Sequence, residues 1–398
     1  MSDQTPETPL AEEAIRKAMQ GEKTFCKFLS ANDTGETGGH QSGIYISKPA
    51  VPIIFDHPFE KGENHERTIK IIWQGEFETE GHCKYYGQGT RNEYRITGFG
   101  HGFPYLHAEY TGALFVLIQM SHDDYCGYVL NTDAEIDQFL DAYGLTPPQT
   151  NRLLEKNELI PELREKTELQ DFLKRIGGTF PTSEEMSSEA RLLSYLSGIT
   201  KNMVIEDPDR ILVYWTESEY RLFKAIEYNK YGARVRLGFD NIDDFMVIAN
   251  QLSNRRKSRA GKSLEHHLEA IFDGNSLNYS AQAITEERKK PDFIFPSIEA
   301  YHDMTFNADD IITLAAKTTC KDRWRQILNE ADRRKDKPKY LCTLQQGISS
   351  NQIEEMHTEQ VVLVVPKQYI KTFPADRYDM IWPISRFISF VKEKEGLA

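Results

Sequence analysis

Apolar and polar positions follow different rhythms in the two halves of this chain. From Phe25 to Leu130 short apolar runs and alternating stretches are broken by turn residues, the signature of strands. Ile44–Ile46, Thr68–Trp73, Glu93–Ile96 and Ala113–Ile118 are the clearest, and a glycine-rich loop, Asp33 to His40, lies among them. Short strands joined by such loops predict a barrel or sandwich. A helix from Ala134 to Tyr143 closes this half. Residues 1–20 read as a flexible lead ending in an amphipathic helix, Glu12 to Met19. Residues 146–190 are polar, acidic and broken by Pro147-Pro148, Gly177-Gly178 and Pro181. Beyond them the period lengthens to that of helices: Glu189–Leu196, Glu217–Tyr228, Ile242–Leu252 and Lys262–Phe272. After Pro291 strands and helices alternate. Strands are predicted at Phe293–Phe295, Ile311–Lys317, Tyr340–Thr343 and Gln360–Val365, and helices at Asp322–Asp332, Gln352–His357 and Ile384–Lys392. That alternation predicts an α/β sheet covered by helices.

A length of 398 residues implies two domains. No apolar run approaches the ~18 residues of a membrane span, and the acidic, proline-bearing N-terminus lacks the features of a signal peptide. Five cysteines, none spaced as C-x-x-C, speak against a disulfide framework or a structural zinc site, so a cytoplasmic location is expected. The net charge of −13 opposes phosphate binding on average. Yet Asn254 to Lys262 holds five basic residues and no acid, a local surface suited to DNA.

The chemistry concentrates between Pro291 and Glu330. Hydrolysis of a phosphodiester calls for carboxylates that hold Mg²⁺ and a cation beside the attacking water. Asp292 and Lys317 are candidates. Lys317 ends the apolar run Ile311–Ala316, where an ammonium needs an anionic partner. Nucleases of this pattern often carry an acid two residues before the lysine. Ala315 stands there, so a second carboxylate must come from Glu330 or from Glu265. Lys321-Asp322-Arg323 opens the next helix. Lys and Arg donate to guanine and Asp accepts from cytosine, so the triplet can read neighbouring G·C pairs. His266-His267 does not suit one shared ion, because adjacent helical residues point about 100° apart.

With these residues in view, the chain resembles the EcoRII-type restriction endonucleases, the type IIE enzymes that cut at CCWGG. The matched stretches are Ser253–Glu265, Gln282–Glu286, Lys289–Phe293, Ala300–Asp303 and Lys317–Asp332, then Leu29–Gly35, Thr37–Gln41, Thr90–Glu93 and Arg95–Thr97 in the first half. The resemblance implies a C-terminal α/β PD-(D/E)XK domain over 188–398, with Asp292, Lys317 and Glu330 at its core and Glu265 and Tyr301 close by. Mg²⁺ is the implied cofactor, with Asp292 and Glu330 as its ligands. Lys321, Asp322, Arg323 and Arg325 would face the DNA. A β-rich pseudobarrel resembling plant B3 domains would fill 1–165, joined by a linker over 166–187. It would bind a second copy of the site through Arg91, Glu93 and Arg95 on one arm and Lys27, Asn32, Asp33 and His40 on the other. The implied partners are duplex DNA at two or more sites, a second copy of the chain, and functionally a cognate cytosine methyltransferase. Trp215 could line a pocket for a flipped base or pack in the core. The rival readings are a DNA-binding regulator on an inactive nuclease fold and a structure-specific repair nuclease.

Overall fold

The computed structural model describes residues 9–37, 43–100, 102–154, 167–286, 289–329, 333 and 336–397. The first half forms one eight-stranded sheet in the order β2-β5-β4-β3-β7-β6-β1-β8. Its strands are β1 (Lys23–Phe28), β2 (Ile44–Ile46), β3 (His65–Trp73), β4 (Phe77–Tyr86), β5 (Glu93–Thr97), β6 (Leu114–Gln119), β7 (Asp124–Leu130) and β8 (Arg152–Leu153). Only β3 and β7 pair in parallel; the remaining neighbours are antiparallel. In β3 and β4 burial alternates along much of each strand, so one face meets the core and the other meets water. β6 is buried along its whole length. One of its faces joins an aromatic core around Trp73 and Phe115, and the other lies under helices α1 (Pro9–Gln20) and α2 (Asp133–Tyr143). The N-terminal helix is therefore a packed element: Ala11, Ala14 and Ala18 are fully buried. Small side chains let it approach the sheet.

Helix α2 has strong local stop signals. Thr132 and Glu135 form a capping box at its start, and Gly144 takes a left-handed C-cap, φ 67°.

The stretch expected as a linker carries α3 (Thr167–Arg175) and the first turn of α4 (Ser183–Leu196). Leu169 and Phe172 are buried with Met186, Leu222 and Phe223, so this segment packs on the second half. There follow α5 (Lys201–Glu206), α6 (Pro208–Leu237) and α7 (Ile242–Gly274). Where two helices were expected across 242–272, one runs unbroken through the basic stretch. No proline interrupts it, and a single Gly261 costs a helix only about 1 kcal/mol.

The second sheet has six strands in the order β14-β13-β12-β11-β10-β9. They are β9 (Ser280–Ala281), β10 (Phe293–Phe295), β11 (Ile312–Lys317), β12 (Lys339–Thr343), β13 (Val361–Val365) and β14 (Ile381–Pro383). β11 to β14 are parallel, while β9 and β10 run antiparallel to their neighbours. The flanking helices include α8 (Ile298–His302), α9 (Ser350–Thr358) and α10 (Ile384–Lys394). Asp209, in the first turn of α6, is fully buried and accepts backbone N–H bonds from Lys367, Ile384 and Ser385, which ties α6 to the start of α10. Among the described residues no helix is long and apolar enough to cross a membrane.

Candidate active site

Antiparallel pairing of β10 with β11 sets the site. Phe293 lies opposite Leu314, so Asp292 at the head of β10 arrives beside the end of β11. Its Oδ2 accepts the Ala316 N–H at 2.7 Å and the Lys317 ammonium at 3.2 Å. Lys317 thus has the anionic partner that its place at the tip of a buried strand demands. Glu265 reaches the same spot from α7. The side-chain amide of Gln282, one residue past β9, donates to Glu265 Oε2 at 2.9 Å and to Asp292 Oδ1 at 2.8 Å. Lys262 donates to Glu265 from one turn earlier, at 2.8 Å. Burial raises the Glu265 pKa and the Asp292 charge raises it further, against the opposing pull of Lys262.

Glu265, Lys317 and Thr318 line a cleft of about 380 Å³. Its opposite wall is α2, which contributes Asp137, Gln138 and Asp141. Burial and the neighbouring Asp137 push the Asp141 carboxyl up to about 7.

The triplet lies at the edge of this cleft and is already bonded. Lys321 is only 3% exposed, and its ammonium donates to the carbonyls of Glu109 and Thr111, both at 3.1 Å. Burial drives its pKa down to about 8. The backbone N–H groups of Lys321, Asp322 and Arg323 all donate to Asp133, in the first turn of α2, at 2.7–3.0 Å. Arg323 forms an ion pair with Asp137, which also accepts from Thr319 at 2.8 Å. Burial and the bond to Asp133 raise the Asp322 carboxyl to about 7. The other end of α2 is also held. Its terminal carbonyls lack helical donors, and Arg256 supplies one to Ala142 while Arg259 supplies one to Gly144 at 2.7 Å. Arg256 also grips Glu227 through two nitrogens, at 2.7 and 2.8 Å. Part of the basic stretch therefore holds the first domain.

Over Arg323–Asn329 the backbone is a 3-10 helix, where an α-helix was expected. Glu330 lies outside the described residues, as does His40. Tyr301 is buried on α8 beside Ile294 and Ile311; its hydroxyl donates to Glu286 at 2.7 Å, and the Arg333 N–H reaches it at 3.3 Å. Arg325 is an exposed partner of Glu355. Lys27 and Asp33 are buried against each other at 2.6 Å, and Asp33 also accepts the Ser30 and Tyr45 N–H groups, which fixes the loop between β1 and β2. Asn32 is half-buried and accepts from Thr37 at 3.5 Å. Arg95 is buried, donates to the Gly43 carbonyl at 3.3 Å and pairs with Glu93 at 3.4 Å. Arg91 is exposed over the Tyr86 ring.

Trp215 is fully buried beside Tyr195 and His267. His267 pairs with buried Glu219 at 3.0 Å while His266 lies 3.5 Å from Glu269, so the two rings serve different partners. Sequence reasoning missed Gln282 and the acids of α2. Asp133, Asp137 and Asp141 recur every four residues, a readable stripe on one helix face. Gln282 carried no signal beyond a place in a matched stretch.

Two family models match the chain: "Restriction endonuclease EcoRII, N-terminal" over residues 18–158 and "EcoRII C terminal" over residues 223–388. The type II restriction enzyme EcoRII of Escherichia coli is 38% identical over 373 residues, covering 88% of this chain and 89% of that protein. The type II restriction enzyme SsoII of Shigella sonnei is 28% identical over 142 residues, 32% of this chain and 46% of its own length. A solved structure of metal-depleted Ecl18kI with uncleaved, modified DNA covers 57% of this chain and 83% of that one, at 19% identity and a TM-score of 0.47. Both domain models match in order, and the E. coli enzyme aligns over nearly its full length: the chain belongs to the EcoRII family of type II restriction endonucleases, which are site-specific nucleases.

Proposed function

We propose that this chain is a Mg²⁺-dependent type IIE endonuclease that cleaves duplex DNA at a CCWGG-like site and is stimulated by a second copy of that site. The observation that carries the proposal is the meeting of Asp292, Lys317 and Glu265 at one end of the second sheet, with Lys321-Asp322-Arg323 only a few residues further on. The donors at this spot are carboxylate oxygens, the ligand type that Mg²⁺ selects. Asp292 and Glu265 would hold the ion, joined by Glu330. When bound, the ion supplies positive charge at the phosphate oxygens and lowers the pKa of a bound water. Lys317 orients Asp292 and puts a second cation beside the cleft. Tyr301 braces Glu286 near this end of the sheet.

The reading of bases is assigned to Lys321, Asp322 and Arg323, with Arg325 nearby on the exposed side. In this structure α2 occupies the first three residues, which supports a requirement for a second site: DNA on the first domain would draw α2 away. That domain, over 1–165 and read as a B3-like pseudobarrel, would contact the second site through Arg91 and neighbouring Glu93 and Arg95. Lys27 near the end of β1, with Asn32, Asp33 and His40 in the stretch that follows, would form the other arm. Residues 166–187 would join it to the nuclease domain over 188–398. Dimerisation through the second domain is supported by exposed Leu237, Ile242, Phe245 and Met246 at the α6–α7 tip. A cognate cytosine methyltransferase would protect host DNA, and the enzyme would act in the cytoplasm.

The test is to incubate the purified chain with plasmid and Mg²⁺ and to sequence the ends. Breaks at one short sequence are expected. Binding without any breaks would favour a regulator on an inactive nuclease fold, and breaks without sequence preference would overturn the site assignment.

A further inference from the structure

Gln282 occupies an unusual place. Its N–H donates to the Asp292 carbonyl at 2.9 Å, continuing the β9–β10 ladder by one residue. Its φ is +51°, a left-handed backbone that residues other than glycine seldom adopt. Such conformations persist where surrounding contacts enforce them, often at functional sites. Here the side chain is directed between two carboxylates, with one amide nitrogen bonded to both.

We propose that Gln282 is a positioning residue that holds Glu265 and Asp292 together as one divalent-cation site. This rests on the reading that these two carboxylates bind the ion. Two like charges side by side repel, and the pair needs a donor to stay aligned. Lys262 and Lys317 bond to Glu265 and Asp292 from outside the pair, at Oε2 and Oδ2. A third cation between the carboxylates would cancel the charge that attracts the ion. An amide avoids this. It is neutral, offers two N–H donors and aligns Oε2 of one group with Oδ1 of the other while leaving both negative. Lys262 and Gln282 share Glu265 Oε2, so Glu265 Oε1 and the second lone pair of Asp292 Oδ1 face the cation.

The test is direct titration of the full-length chain with Mn²⁺, without DNA, followed by calorimetry and by the Mn²⁺ electron paramagnetic resonance signal. Gln282→Gly removes the amide and suits the left-handed backbone, so its melting temperature should hold or rise. Its Mn²⁺ affinity should fall about 10- to 100-fold, the usual effect of losing a group that orients metal ligands. Gln282→Glu adds a third carboxylate whose repulsion the ion relieves, so its affinity should exceed that of the wild type. A merely structural role would move both variants the same way. Unchanged or tighter Mn²⁺ binding in Gln282→Gly overturns the proposal. Asp292→Asn separates the two claims. If it loses Mn²⁺ binding while Gln282→Gly keeps it, only the role of Gln282 fails. If Asp292→Asn binds normally, the cation site itself is misplaced and both fail.

Discussion

Two neighbouring clusters near the end of β11 differ in state. Among the described residues, Asp292, Glu265 and Lys317 are bonded only to groups of their own domain, and Glu265 and Lys317 border a cleft. A few residues on, Lys321, Asp322 and Arg323 are bonded to the other domain, through Asp133, Asp137 and the carbonyls of Glu109 and Thr111. The groups proposed to cleave are assembled; the groups proposed to read bases are occupied. The difference teaches that two clusters on one short segment can be held by different domains, so that, on the proposed reading, recognition and cleavage would be regulated separately. Asp137 gives the Arg323 side chain an acceptor in place of a base, and the carbonyls of Glu109 and Thr111 do the same for Lys321. On the proposed reading, DNA must replace interactions already satisfied, which would raise the threshold for cutting.

Breaking the first cluster should have the largest effect. Lys317→Ala is expected to cut about 10²- to 10³-fold more slowly, by analogy with loss of one preorganised electrostatic group. Specific binding, followed by mobility shift, should persist. The second cluster comes next. Arg323→Ala should lose ~1–3 kcal/mol of discrimination at one G·C pair, measured by cleavage across a library of site variants. Releasing α2 should act in the opposite direction. Asp133→Asn with Asp137→Asn should speed cutting of a one-site plasmid about tenfold, the equivalent of ~1.4 kcal/mol, and should leave a two-site plasmid nearly unaffected.

A smaller effect concerns pH. The Asp322 carboxyl rises from 3.8 to about 7 when clasped, because burial and Asp133 disfavour its charge. Protonation therefore favours the clasp. Its contribution is full below the released value and is lost as pH climbs through about 7. Asp141, also raised to about 7 by burial and Asp137, has the same sign. The ratio of two-site to one-site cutting rates should be larger at pH 6 than at pH 7.5, and Asp133→Asn should flatten it. The smallest change is expected from Arg325→Ala, which breaks an exposed pair with Glu355 and should alter stability by less than ~1 kcal/mol in thermal unfolding.

The strand at Ile312–Lys317 was legible because a lysine closes an apolar run, and the anionic partner that lysine needs is Asp292. α2 was legible as the helix expected over Ala134–Tyr143, and its capping box and Gly144 cap fix its ends. Its partner was not, since a stripe of acids shows which face is polar and nothing of what faces it. The basic stretch at 254–262 showed the opposite ambiguity. Its charge suggested DNA, yet Arg256 and Arg259 are taken by carbonyls at the end of α2, contacts between residues more than a hundred apart in sequence. Gln282 was invisible for a related reason: its role depends on a left-handed backbone and on two carboxylates brought in from elsewhere. Lys27 and Arg95 were expected to face DNA, and they are buried in polar contacts that brace the loops.

The most direct measurement is Mg²⁺-dependent cleavage of matched one-site and two-site plasmids by the full-length chain, with the ends sequenced. The account predicts breaks at a single short sequence and markedly faster cutting of the two-site plasmid. Equal rates on both would contradict the clasp at the triplet, and a chain that cuts neither would contradict the cleavage site.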